Sequence, residues 1–391
     1  MKSGGNKLKA IVKLCFAAAV ILALSTGFVR AVFFPKDVNE YESRMANQFP
    51  EFTEESFADS SFQNGAEDAL SDQLPLSSYF KKAYNMLGYK YQAFFSLPTV
   101  SRHEDKYFHV KTKEIYNDML VVKPESLEIA APRLDHVIGS FNRAIDNNPG
   151  TEFYLYYVES DLDIDFETGV KTGVYDYIKA VSAVPENNIS RFAVDGFEDY
   201  RSSFYETDHH WNLRGSYAGY TDIYALLGCS GDILAPLEEV NTGKLWHGTR
   251  AADIGFEGWD EPFIAYRFQF PEMRIMLNGV EAEDYGMQDV FLSGVGGTIS
   301  YAKFYGNLFR EIVFDTGDET KENLLIVGDS YSNAILKLLA SHFHKTVLID
   351  CRMSPVTQEK FTEYIEEYGI DKVLFLGSLF GLGNEDLALS D

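Results

Sequence analysis

The stretch Leu324-Leu325-Ile326-Val327-Gly328-Asp329-Ser330 decides the fold of this chain. Four consecutive large apolar residues read as a strand buried on both faces, and Gly328 ends it where the chain must turn sharply. Behind the turn, Ala334, Ile335, Leu338, Leu339 and His342 recur on one helical face. Thr346 to Ile349 reads as a second strand, and Phe361, Tyr364, Ile365 and Tyr368 mark a second helix with Gly369 as its stop. Val373 to Leu376 makes a third strand. This β-α-β-α-β order implies a parallel sheet with right-handed crossovers, so the fold class is α/β. Ligands of such sheets bind beyond the carboxyl ends of the strands, which is where Ser330 falls. Upstream, Phe153 to Val158 is a further short β-prone run suited to a central strand.

A second informative segment is Thr207-Asp208-His209-His210-Trp211-Asn212. Leu213, Tyr217, Tyr220, Tyr224 and Leu227 then repeat at helical spacing, with Gly228 at the expected end and Asn212 placed to cap the start. Asp208 and His210 therefore lie in the loop before a helix. A serine hydroxyl is almost un-ionised near neutrality and needs a base within about 2.6 to 3.2 Å to become a nucleophile. Imidazole, with a reference pKa of about 6.5, can take that proton and return it. A carboxylate two residues before the histidine can orient the ring. The expected catalytic set is therefore Ser330 as nucleophile, His210 as base and acid, and Asp208 as orienter. His209, directly adjacent to Asp208, is the rival base. Asp329 stabilises the turn or touches substrate, and Trp211 packs or offers a platform to a sugar.

Composition bounds the rest. A chain of 391 residues with 46% hydrophobic composition can bury one large core or two smaller ones. Acidic residues outnumber basic ones 59 to 34, so a polyanionic backbone is repelled and nucleic acid is not expected as a partner. Cys15, Cys229 and Cys351 lie far apart, without zinc-knuckle spacing or a disulfide framework. Lys2, Lys7, Lys9 and Lys13 precede an apolar run from Leu14 to Val29, which reads as a signal anchor or a cleaved signal peptide over residues 1–35. The remainder is then expected outside the cytoplasm, tied to the cytoplasmic membrane by that helix, or secreted if the leader is cleaved. Residues 36–75, polar and acidic, read as a tether or an edge wrapping the domain. Residues 76–391 read as the main domain, beginning with an amphipathic helix through Phe80, Tyr84, Leu87 and Tyr91 that docks on the core.

With these segments in place, the chain resembles the DHHW family, named for the tetrapeptide that stands here as Asp208-His209-His210-Trp211. It is similar, beyond that, to the SGNH-like O-acetyltransferases of alginate and other secreted polysaccharides. The shared pattern is a D-x-H-W segment ahead of a GDS segment, a permuted order relative to ordinary SGNH esterases. Further matches are Glu42-Ser43-Arg44-Met45, Phe49-Pro50, Asp72-Gln73 near Tyr79-Phe80, Tyr305-Gly306, and Ile349 to Arg352.

The resemblance implies an SGNH-hydrolase-like parallel sheet flanked by helices, and an extracytoplasmic O-acyltransferase that uses Ser330, His210 and Asp208. Its partners would be an acyl donor, a polysaccharide acceptor and a multi-pass membrane acyltransferase that hands the donor across. Arg352 then orients an anionic substrate or pairs with a carboxylate, Trp211 and Tyr305 are candidate substrate contacts, and Gly306 and Asn307 are candidates for the oxyanion hole. The backbone N–H groups following Ser330 are candidates for the same role. A carbohydrate esterase with the same triad, or a polysaccharide-binding assembly protein without chemistry, are the alternatives. No metal or organic cofactor is required. Asp161, Asp163 and Asp165 have the 1, 3, 5 spacing of a calcium loop, but Phe166 stands where its turn glycine belongs. A manganese phosphoesterase of the DHH type needs further aspartate motifs on early strands and does not follow an export signal.

Overall fold

The computed structural model describes residues 113–254, 261–293 and 296–390 throughout, with 13–14, 109–110 and much of 25–87. The chain divides into two compact units, Met1–Gly88 and Tyr89–Asp391.

In the first unit, the segment read as a tether contains a helix, Ser61–Gln73, and a strand pair, Val38–Asn39 with Arg44–Met45. Polar side chains fasten these pieces. Asp72 Oδ2 accepts from Asn47 N at 2.9 Å and Nδ2 at 3.0 Å, while the Gln73 side-chain amide bonds both the N–H and the carbonyl of Lys36. The Asp72-Gln73 pair is thus a staple of local structure. The helix expected to dock through Phe80, Tyr84 and Leu87 leaves all three exposed, and Tyr91 lies outside the described residues. Most of the apolar run Leu14 to Val29 also lies outside them, and no helix among the described residues is long and apolar enough to cross a membrane.

The second unit is built on an eight-stranded sheet. Its strands are β1 (Glu152–Val158), β2 (Ile189–Phe192), β3 (Arg274–Leu277), β4 (Val280–Ala282), β5 (Glu311–Asp315), β6 (Leu324–Gly328), β7 (Lys345–Ile349) and β8 (Lys372–Ser378). They lie in the order β4-β3-β5-β7-β6-β8-β1-β2. The five strands from β7 to β2 are parallel, and β5, β3 and β4 add an antiparallel edge. The flanking helices are α1 (Leu127–Asn147), α2 (Val174–Val181), α3 (Leu213–Leu226), α4 (Asn333–Ala340) and α5 (Gln358–Tyr368).

The apolar run Leu324–Gly328, β6, sits inside the sheet. From β6 the chain crosses through α4 to β7 on one side, then returns through α5 to β8 on the other side of β6. Crossovers of one hand that step in opposite directions put their helices on opposite faces. The two cores confirm this. Leu324 and Ile326 pack with Ala334, Ile335, Leu338 and Leu339 of α4, whereas Leu325 and Val327 pack with Phe361 and Ile365 of α5 and Leu134, Val137 and Phe141 of α1. Strand order reverses at β6, and such a switch point opens a crevice at the carboxyl ends of the strands. Ser330 stands there.

The α3 helix begins as its sequence demands, with the Asn212 side chain accepting from the N–H groups of Arg214 and Gly215. Its buried face is Gly215, Ser216, Gly219, Tyr220 and Ile223, with Tyr217 and Tyr224 of the stripe half-buried beside it. Trp211 accounts for the small residues. Its indole is fully buried over Gly219, where an added Cβ would lie 2.4 Å from the ring, and against Phe192 and Tyr331 edge to face. Trp211 therefore fills the core and presents no face to a sugar. Gly219→Ala is predicted to cost about 1 to 3 kcal/mol by overpacking that indole. Urea unfolding measures it, and an unchanged midpoint would contradict this account of the α3 interface.

Candidate functional site

Two loops meet beyond the end of β6. The first is the turn Gly328-Asp329-Ser330, which leads through a short 3-10 turn, Ser330–Ser332, into α4. Asp329 holds it: Oδ1 accepts the N–H of Tyr331 at 2.9 Å, and Oδ2 accepts the N–H of Ser378 at 3.2 Å. Burial raises the Asp329 carboxyl above its usual range despite the Arg352 charge and these backbone donors. Its role is in the turn, since both oxygens are spent on backbone. The Ser332 N–H donates to the Asp329 carbonyl at 3.1 Å. The amides of residues 331 and 332 are therefore already committed, and the Ser330 N–H is the donor left without a partner there among the described residues.

The second loop brings Asp208, His209 and His210. Nε2 of His210 lies 2.8 Å from Ser330 Oγ, and Nδ1 lies 2.8 Å from Asp208 Oδ1. The rival histidine places its Nδ1 2.9 Å from Thr249 Oγ1 and 3.3 Å from Asp208 Oδ1. Thr249 also binds the carboxylate from both ends, its hydroxyl donating to Asp208 Oδ1 at 2.8 Å and its N–H to Oδ2 at 3.1 Å. Burial alone would raise Asp208, but the charge and hydrogen bond of His210, with His209 and Thr249, hold it well below the usual carboxylate range. It is a buried carboxylate and an acceptor only.

That assignment settles both tautomers. Facing an ionised Asp208, His210 Nδ1 must carry the proton, which leaves the Nε2 lone pair toward the Ser330 hydroxyl. The single Thr249 hydroxyl proton is spent on Asp208, so Thr249 Oγ1 accepts from His209 Nδ1–H. His209 Nε2 is then unprotonated as well. Burial and the neighbouring His210 charge hold His209 well below the ordinary histidine range, so it is neutral at physiological pH.

Two tyrosines, Tyr301 and Tyr331, flank His210, and Tyr305 lies behind the first. Tyr301 stacks on the His210 ring at 3.6 Å and donates its hydroxyl to the Ser330 carbonyl at 2.9 Å. Tyr331 donates to the His209 carbonyl, joining the two loops. Tyr305 is fully buried, its hydroxyl 3.1 Å from that of Tyr205, so it supports the wall instead of meeting a substrate. Gly306 spends its N–H on the Ala302 carbonyl and its own carbonyl on Asn333 Nδ2, so that N–H is not available to an oxyanion. Asn307 is exposed, and its carbonyl accepts from Tyr285. Arg352 forks onto Asp350, with Nε to Oδ1 at 2.9 Å and Nη2 to Oδ2 at 2.7 Å, which realises the carboxylate pairing. Its charge is still felt by Asp329 and His209.

Asp208, His209 and His210 each bring a potential metal-ligand atom within 4.8 Å of the others. These atoms already face donors or acceptors of the protein, above all at Asp208 Oδ1, which also takes the backbone N–H groups of His209 and His210. Asp163, from the calcium-like spacing, is buried and bonded to the Tyr157 hydroxyl at 2.5 Å and the Ser160 N–H, while Asp165 takes the N–H groups of Glu167 and Thr168. Cys229 and Cys351 are free thiols.

Solved structures similar to this chain carry the same architecture. Bacillus cereus PatB1 with a sulfonyl adduct is 19% identical, with a TM-score of 0.53 over 71% of this chain and 100% of that one. A DHHW family protein from Eubacterium siraeum is 14% identical, with a TM-score of 0.53 over 73% of this chain and 98% of its own. The chain has the fold of a DHHW family protein. No protein-family model and no curated protein matches the sequence.

One buried acid of this site went unread in the sequence. Glu261 Oε2 accepts the N–H of Glu206 at 2.9 Å, and Oε1 accepts the N–H and hydroxyl of Thr207 at 3.3 and 3.1 Å, so this carboxyl holds the approach to Asp208. Burial pushes it up to about 8. Between the unfolded value of about 4.3 and that value, the folded protein holds a proton the unfolded chain has released, so this group makes stability fall as pH rises. Glu261→Gln is predicted to flatten that decline between about pH 5 and 8, as read by urea unfolding at several pH values. An unaltered slope would contradict it.

Proposed function

We propose that this protein is an extracytoplasmic SGNH-like O-acyltransferase that moves an acetyl group onto hydroxyls of a cell-envelope or secreted polysaccharide. The observation that carries the reading is the relay itself: Ser330 Oγ 2.8 Å from His210 Nε2, and His210 Nδ1 2.8 Å from a buried Asp208 carboxylate. In the first half-reaction, Ser330 Oγ bonds to the acyl carbon as its proton passes to His210 Nε2. The bond from that carbon to the donor's leaving atom then breaks, and His210 returns the proton to the leaving group. In the second half-reaction, a sugar hydroxyl gives its proton to His210, its oxygen bonds to the acyl carbon, and Ser330 Oγ departs with that proton.

Each part has a physical basis. Asp208 stabilises the imidazolium that forms twice, and the Tyr301 stack keeps the ring in plane with the serine. The Ser330 N–H serves as one donor to the oxyanion. The lysine-flanked apolar leader supports a location outside the cytoplasm, and the DHHW resemblance supports acyl transfer with a membrane acyltransferase supplying the donor.

The test is to incubate the protein with 4-nitrophenyl acetate, with and without an oligosaccharide. Acetylated sugar is the expected product, and free acetate alone would instead favour an esterase. Ser330→Ala is expected to remove turnover, and Asp208→Asn to lower kcat by about four powers of ten. Turnover unchanged in the Ser330→Ala protein would refute the serine mechanism.

A further inference from the structure

The segment following β8 places one apolar side chain where the fold does not need it. Phe380 lies in the short helix Leu379–Leu382, at the carboxyl end of the strand that pairs with β6. Its neighbours Leu379 and Leu382 are buried, yet Phe380 is 57% exposed. Among the described residues of the second unit it is the exposed aromatic; the others are buried or half-buried. Scattered exposed apolar residues need no explanation, but this one is held beside the reacting groups. Its ring centroid lies 5.2 Å from that of His209, which in turn lies 3.8 Å from that of His210.

The mount is rigid. Asp329, the residue before the nucleophile, accepts the N–H of Ser378, and a Cβ added at Gly381 would fall 2.0 Å from Asp329 Oδ2. The backbone on either side of Phe380 is therefore pressed onto the same carboxyl that shapes the Ser330 turn. An aromatic fixed in this way loses little conformational freedom when a ligand stacks on it.

His209 adds the polar half. Its Nδ1–H is taken by Thr249 Oγ1, which leaves Nε2 as a lone-pair acceptor with no hydrogen bond to the described residues. The side chain keeps one-fifth of its surface exposed. A flat apolar ring beside a single acceptor matches a pyranose, whose C–H face packs on the aromatic while one hydroxyl donates to the imidazole.

We propose that Phe380 and His209 Nε2 form the acceptor subsite, holding one neutral sugar ring of the polysaccharide next to Ser330. This rests on the acyltransferase reading, and it assigns to the first histidine of the tetrapeptide a role in binding the acceptor.

The test uses the full chain carrying Ser330→Ala, so that binding is read without chemistry, and cellohexaose as the probe, titrated by calorimetry. Adding Phe380→Ala is expected to weaken binding about ten-fold, or about 1.4 kcal/mol, and Phe380→Trp to restore it. His209→Phe, which keeps a ring but loses the acceptor, is expected to weaken binding as well. Binding within two-fold of the parent in Phe380→Ala, no recovery in Phe380→Trp, or no binding of cellohexaose by the parent would each overturn the subsite. Should any of these occur while Ser330-dependent cleavage of 4-nitrophenyl acetate is intact, the subsite alone fails. Loss of that cleavage would overturn the reading on which it rests.

Discussion

The buried carboxylate of Asp208 is the interaction on which the rest of the site depends. Taking a carboxylate out of water costs several kcal/mol unless its lone pairs are satisfied. Here Oδ1 takes the His210 ring, two backbone N–H groups and the Thr249 hydroxyl, and Oδ2 takes the Thr249 N–H. Because the acid is ionised, every partner must donate, and that one constraint fixes the protonation of both histidines. His210 turns its lone pair to Ser330, and His209 turns its own away from Thr249. Neutral and charged forms of His210 differ by a proton on Nε2, while the carboxylate that stabilises the charged form stays in place throughout.

A second carboxyl performs the corresponding task for the other half of the site. Asp329 ties the Ser330 turn to Ser378, the last residue of β8, so the end of β6 and the end of its neighbour are set as one piece. The two halves are 120 residues apart in the chain and are joined directly by His210 to Ser330, Tyr331 to the His209 carbonyl, and Tyr301 to the Ser330 carbonyl through its stack on His210. The reversal of strand order at β6 leaves open the space in which these loops meet. Sheet topology thus provides the crevice, and two buried acids set the geometry within it.

Much of this was legible in the sequence because it rests on local signals. The strands around β6 are short apolar runs, Gly369 ends α5 in the left-handed region, and Asn212 caps α3. What the sequence concealed depends on side chains that meet only after folding. Thr249 and Glu261 lie 41 and 53 residues beyond Asp208 with no motif around them, and their bonds to the loop are tertiary. The stripe of large residues marked α3 itself but did not show that small residues, Gly215 and Gly219, form the face that accepts Trp211. Trp211 and Tyr305 read as substrate contacts for their chemistry, whereas core volume claimed both. Gly306 suggested an oxyanion donor by type, but its N–H closes a helical turn. Phe380 carries no sequence signal, since an exposed phenylalanine cannot be told from a buried one by spacing.

The central claim is that the buried relay turns Ser330 into a nucleophile, and reaction with phenylmethanesulfonyl fluoride tests it most directly. An activated serine displaces fluoride from sulfur, whereas an ordinary serine hydroxyl remains inert because it lacks a base. Peptide mapping by mass spectrometry after treatment is predicted to find one sulfonyl group, on the peptide containing Ser330, formed far more slowly when His210 is replaced by alanine. Absence of the adduct from Ser330, or equal labelling with His210 removed, would contradict the account.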